Sequence, residues 1–132
     1  MSRENVEIVR SLADAVQRGD SAAALSILDV DVEWHDQAAI PGAEVHRGRE
    51  AVRRHFEQWF DAWEEIEYTP EELLDEDDRV LVVIRRRGKG KGSGVEVSDQ
   101  VIHVYTVRDE KIVRFEGFSD KQEAFAAAGL TE

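Results

Sequence analysis

VYTVRDEKIVRFEGFSD, residues 104 to 120, holds two apolar-polar alternations around a short charged turn and ends on an acidic residue able to cap a helix. In its second half Val113, Phe115 and Gly117 share one strand face and Arg114 and Glu116 the other, so the first set is predicted to point inward. The first half depends on the turn RDEK, residues 108 to 111. A three-residue loop with an extra residue bulged at Glu110 pairs Val107 with Lys111 and turns Tyr105, His103, Val101 and Asp99 to the Phe115 face. A two-residue turn sends them outward. The bulged form is preferred because it leaves Thr106 and Gln100 outside with Arg114, although Glu110 suits the left-handed conformation poorly.

Working outward, strands are predicted at 66–74, 79–87, 95–107 and 111–119, joined by DEDD, GKGKGSG and RDEK as consecutive antiparallel hairpins. Asp120 with Glu123 makes a capping-box-like start for KQEAFAAA, and Gly129 supplies its end. Toward the N-terminus, Val6, Val9, Ala13 and Val16 recur at helical spacing through residues 3–18, and Gly19 closes that helix. Asp20 can cap a short second helix through SAAALSIL, after which DVDVEW alternates as a strand. From Arg49 to Trp63 the residues Val52, Phe56, Trp59, Phe60 and Trp63 form one bulky helical face. The expected fold is α+β: a cone-shaped barrel of a curved, mostly antiparallel sheet. It has N-terminal helices, one long helix over the concave face and a short C-terminal helix, all in a single domain over residues 1–132.

With 29 acidic and 17 basic residues the formal charge is -12, which repels phosphates and anionic lipid, so neither nucleic acid nor membrane is an expected partner. The chain has no cysteine, which excludes disulfides, thiolate nucleophiles and cysteine-ligated zinc. The amphipathic start MSRENVEIVRSLADAV reads as a mature helix and not a signal peptide, and a cytoplasmic location is expected.

The element order, together with VQRGD, VEWHD, RGREAVRRHF and VYTVRDEKIVRFEGFSD…EAFAAAGL, resembles the nuclear transport factor 2-like superfamily, and within it the SnoaL-like, ketosteroid-isomerase-like branch. The resemblance implies a conical cavity between sheet and helices and commonly a homodimer formed across the sheet. It fixes no activity, since the fold hosts isomerases, cyclases, hydrolases, dehydratases and domains without chemistry.

On the first strand Val32 and Trp34 point in, by the same parity Asp36 does too, and His35 points away. A carboxylate beside Trp34 in a dry cavity is a candidate general base or anchor, and the resemblance places Asp36 where the ketosteroid isomerases carry their catalytic aspartate; the plain reading is a cap for the loop before Pro41. His103, inward in the preferred register, is the second catalytic candidate: it either relays a proton and orients Asp36 or bonds a backbone carbonyl as a core histidine. The ligand-contacting candidates are Trp34, Phe56, Trp59, Phe60, Trp63, Asp99, Tyr105 and Phe115. His55 reads as cavity wall and His46 as loop. No spacing brings these histidines together with carboxylates, so no metal and no cofactor is expected.

RRRGKGKGSG lacks a phosphate-loop arrangement and reads as a solvated hairpin tip, and DEDD as a turn. Ketosteroid isomerases use a Tyr on helix one and a protonated Asp on a late strand; here Leu12 and His103 fall near those places. The Arg-x-Asp of epoxide hydrolases has no counterpart in VLVVIRRR, so neither activity is expected. The reading is therefore a pocket for a small hydrophobic carbonyl compound with cofactor-independent acid-base chemistry of isomerase, cyclase or dehydratase type. The alternative is a non-catalytic ligand-binding or dimerisation module. A homodimer is expected because Ile102 and Val104 face outward and need cover.

Overall fold

The computed structural model describes residues 2–36 and 44–129. Pro41, where the strand reading of β1 gives way to a loop, lies outside them. The elements run α1 (Ser2–Arg18), α2 (Ser21–Ile27), β1 (Leu28–His35), β2 (Val45–Arg47), α3 (Arg49–Asp61), β3 (Trp63–Glu76), β4 (Arg79–Gly90), β5 (Glu96–Arg108), β6 (Lys111–Phe118) and α4 (Lys121–Ala127). The predicted α+β fold is the one observed, with six strands in the order β2-β1-β6-β5-β4-β3. Among the described residues only β1 with β6 is parallel, and that pairing sets Trp34 beside Phe115 and His35 beside Glu116. It needs a long crossover, which α3 and the β3–β5 meander supply.

Local chemistry explains most boundaries. Asp20 caps α2 by accepting from Ala23 N at 3.1 Å, and Asp120 caps α4 by accepting from Gln122 N at 2.8 Å. The long helix stops at Asp61, two residues short of expectation, and Trp63 opens β3 opposite Gly90. Its ring lies on Gly88, where a Cβ would stand 2.9 Å from two indole carbons. Sheet packing on a bare glycine thus outweighs the helical spacing that joined Trp63 to Trp59. The three-residue β2, with Val45 and Arg47 exposed, carries too little alternation to be read as a strand.

The RDEK turn is a correction with an unchanged consequence. It is a two-residue turn: Arg108 pairs with Lys111, and Asp109 and Glu110 both take positive φ, 51° and 64°. The extra residue sits instead at Val113, between the Val107–Ile112 and Thr106–Arg114 pairs. That bulge restores the parity, so Tyr105 faces Phe115 and His103 faces Gly117. Ile112 rather than Val113 joins the buried set.

Two apolar layers flank the sheet. On the concave side Val9, Leu12 and Ala15 of α1 and Val52 and Phe56 of α3 pack on Val80, Val82, Ile84, Val101, Tyr105 and Phe115. On the convex side Leu81, Val83, Ile102 and Val104 lie with Ala124 and Ala128. Ile102 and Val104 are each 1% exposed within the one chain. The cover that was expected from a second subunit is provided by the C-terminal helix. Among the described residues no helix is long and apolar enough to cross a membrane.

Candidate functional site

Between α1, α3 and the concave face lies a cavity of about 390 Å³, and its lining includes both Asp36 and His103. Trp34 forms its wall, stacked on Phe115 at 4.0 Å and meeting the edge of Phe56 at 5.0 Å. Phe60 and Tyr105 line it as expected; so do Trp59 and, unforeseen, Tyr68, whose hydroxyl accepts from Trp59 Nε1 at 2.8 Å. Two expected contacts lie elsewhere. Trp63 lines a separate groove of about 450 Å³ beside the α1–α2 turn. Asp99 is not part of the cavity wall but holds Arg86, which is, through bonds of 3.0 and 2.7 Å.

Asp36 follows the last residue of β1, and β2 pairs antiparallel with that strand so that His46 stands opposite Trp34. Paired residues share a face, so the imidazole of His46 turns to the same side as Trp34 and Asp36. The helix α3 crosses this side and presents His55 one position before the buried Phe56. Three elements thus converge on one carboxylate. His46 Nε2 lies 3.1 Å from Asp36 Oδ2 and His55 Nε2 lies 3.2 Å from Oδ1, while Glu44 N donates to Oδ2 at 3.3 Å. The His46 and His55 rings stack at 4.2 Å. The carboxylate is 18% exposed and the imidazoles 16% and 19%, so all three are largely withdrawn from water. Burial lowers the His55 pKa against the opposing pull of the Asp36 charge.

This cluster corrects the expectation that the histidines would not meet a carboxylate. Sequence spacing gave no sign of it, because the three residues sit on three elements, and the β1–β2 pairing that sets His46 opposite Trp34 runs through a strand too short to be read. Two imidazoles and a carboxylate whose ligand atoms lie within 4.8 Å are a donor set that suits first-row divalent ions. The rings are only 25° from parallel, however. An imidazole binds a metal in its own plane, so one ion could be held by both only after the rings turn apart. As arranged, the two nitrogens suit a carboxylate better than a shared cation.

His103 makes no hydrogen bond to Asp36, so the orienting role expected of it falls to His46 and His55. It packs edge-on to Phe115 at 4.8 Å, and its Nδ1 is buried without a partner. Burial, reinforced by the Arg86 charge, pulls its pKa down to about 3. The ring is a neutral imidazole at any ordinary pH.

This chain belongs to the SnoaL-like domain family, which it matches over residues 9–115. It has the fold of the nuclear transport factor 2-like proteins: one from Burkholderia xenovorans is 30% identical, with 97% of this chain and 98% of that one covered and a TM-score of 0.79. A Mycobacterium tuberculosis protein in complex with estradiol-17beta-hemisuccinate is 18% identical, with 90% and 95% covered and a TM-score of 0.76. A Catenulispora acidiphila protein of ketosteroid isomerase-like fold, in complex with trimethylamine, is 20% identical, with 95% and 94% covered and a TM-score of 0.76. No curated protein matches the sequence.

Proposed function

We propose that the chain binds a small hydrophobic carbonyl compound in the cavity and that Asp36 acts on it as a general base, in chemistry of isomerase, cyclase or dehydratase type without a cofactor. The observation that carries this reading is a carboxylate at the wall of an apolar cavity, held by two imidazoles on separate elements. A surface Asp needs no such support. Contacts from two ring nitrogens fix the direction of the carboxylate, and removal of a proton from a substrate carbon depends on that direction. The imidazoles also offer a route by which the proton can leave. The complex of the same fold with estradiol-17beta-hemisuccinate is in keeping with a flat polycyclic guest. A cytoplasmic location and a homodimer across the convex face belong to the same proposal; α4 leaves Leu74, Phe118 and Phe125 partly open for such a contact.

The test is an activity screen on carbonyl compounds alongside tryptophan fluorescence titration, for wild type and Asp36→Asn. The substitution keeps the shape and removes the base, so turnover should fall by about 10²–10⁴. Apolar binding should stay within about 1 kcal/mol, the scale of one neutral hydrogen bond. Turnover by Asp36→Asn at the wild-type rate would make Asp36 a loop cap.

A further inference from the structure

The cavity has a second polar end, on β3 to β5, that the acid-base cluster does not use. There Tyr68 and His103 face each other with ring centroids 6.4 Å apart, and both line the cavity. The Tyr68 hydroxyl already accepts the Trp59 indole N–H, so its own proton needs an acceptor, and no protein acceptor among the described residues takes it. His103 Nδ1 is buried and has no partner among the described residues. A buried N–H without an acceptor is a worse arrangement than a buried lone pair, which places the ring proton on Nε2. Any polar contact the ring makes with a guest is therefore a donation from Nε2. Two neutral donors thus stand in an apolar wall with no acceptor between them. Of the two arginines that line this cavity among the described residues, Arg86 is paired with Asp99 and lies over the Trp59 ring at 5.6 Å, and Arg10 is paired with Glu7 at 3.3 Å.

We propose that Tyr68 and His103 form a binding station for an uncharged acceptor oxygen of the ligand, a ketone, aldehyde or quinone carbonyl, remote from Asp36. This deepens the carbonyl-compound reading above and rests on it. Charge selects the class. A carboxylate gains no free counter-ion here, because the imidazole stays neutral and Arg86 and Arg10 are already paired with Asp99 and Glu7, and it would lie in the same cavity as the Asp36 charge. An alkyl group in the same place leaves both donors unanswered. The station also bears on carbonyl chemistry in this chain: Leu12 on α1 offers no donor, but β3 and β5 do.

Three matched probes test it by calorimetry: 2-acetylnaphthalene, 2-ethylnaphthalene and 2-naphthoate. Wild type should prefer the ketone over the hydrocarbon by about tenfold, the size of one to two net hydrogen bonds, and bind the carboxylate more weakly than the ketone. Tyr68→Phe and His103→Leu should each reduce that preference, with affinity for 2-ethylnaphthalene held or raised because a donor the hydrocarbon cannot answer is removed. Asp36→Asn should retain it. His103→Leu should also hold or raise Tm, since it removes a buried nitrogen that nothing satisfies; a structural histidine would lower it. An unchanged ketone preference in both variants overturns the station, as does tighter binding of 2-naphthoate than of the ketone. Loss of the preference in Asp36→Asn would put the oxygen at the acid-base cluster and overturn it too. If wild type binds none of the three, the pocket reading itself fails, an outcome distinct from pocket binding without carbonyl preference.

Discussion

Asp36, His46 and His55 form a unit in which Asp36 and His55 line the cavity and His46 holds the carboxylate from outside that lining. If they position it, His46→Phe and His55→Phe should each lower turnover by less than the roughly 10²-fold minimum expected for loss of the base. The urea midpoint of each should stay near that of wild type, whereas a purely structural role would lower the midpoint along with the rate. His103 makes a separate statement about pH and stability. Its folded pKa of about 3 lies below the ordinary 6.5, so between those values the unfolded chain binds a proton that the folded chain refuses. Stability is therefore expected to fall as pH drops through that window, by up to about 1.4 kcal/mol per pH unit. His55 is shifted the same way by burial and adds to the slope. Urea melts at pH 7 and pH 4.5 on wild type and His103→Leu measure the effect; the variant should lose less stability between the two.

At the scale of elements, the β5–β6 turn carries a cost that its residues do not need to bear. Asp109 and Glu110 both occupy the left-handed region, which suits the twist of a two-residue hairpin but disfavours a Glu. Glu110→Gly should stabilise the fold by about 1 kcal/mol, read as a higher urea midpoint at unchanged slope. A loss of stability would mean that the Glu110 side chain contributes something its exposure hides. This same turn shows where sequence reading stops. Alternation in KIVRFEGF fixed which face of β6 is polar, whereas the inward face of β5 hung on the turn and was chosen because it put Thr106 and Gln100 outside. Where the compensating residue sits is a matter of ladder geometry. Val113 and Glu110 were both available, and nothing in their side chains distinguishes them.

Across the whole molecule, the convex face is closed by α4 through Ala124 and Ala128, with Phe125 beside them. A chain ended before Asp120 should expose Leu81, Val83, Ile102 and Val104 together. It should unfold at lower denaturant concentration and associate through that face. Retention of wild-type stability by the truncated chain would show that α4 covers nothing essential. The proposed homodimer is tested by sedimentation of the full chain at about tens of micromolar, above the dissociation constant of an ordinary stable interface. A monomer there sinks it.

Length, charge, strand alternation and helix caps determined the architecture, because these are local: a capping Asp or a period of two acts within a few residues of itself. They determined equally that Trp34 and Asp36 would share a face, since parity along one strand is counted directly. Only the tertiary structure decided what stands around Asp36. His46 reaches it through a three-residue strand too short to show a period, and His55 through the placement of α3 across the sheet. Tyr68 entered the cavity the same way, by the register of β3 on β4. Contacts between residues far apart in the chain depend on how elements stack, and no spacing along the sequence encodes that angle.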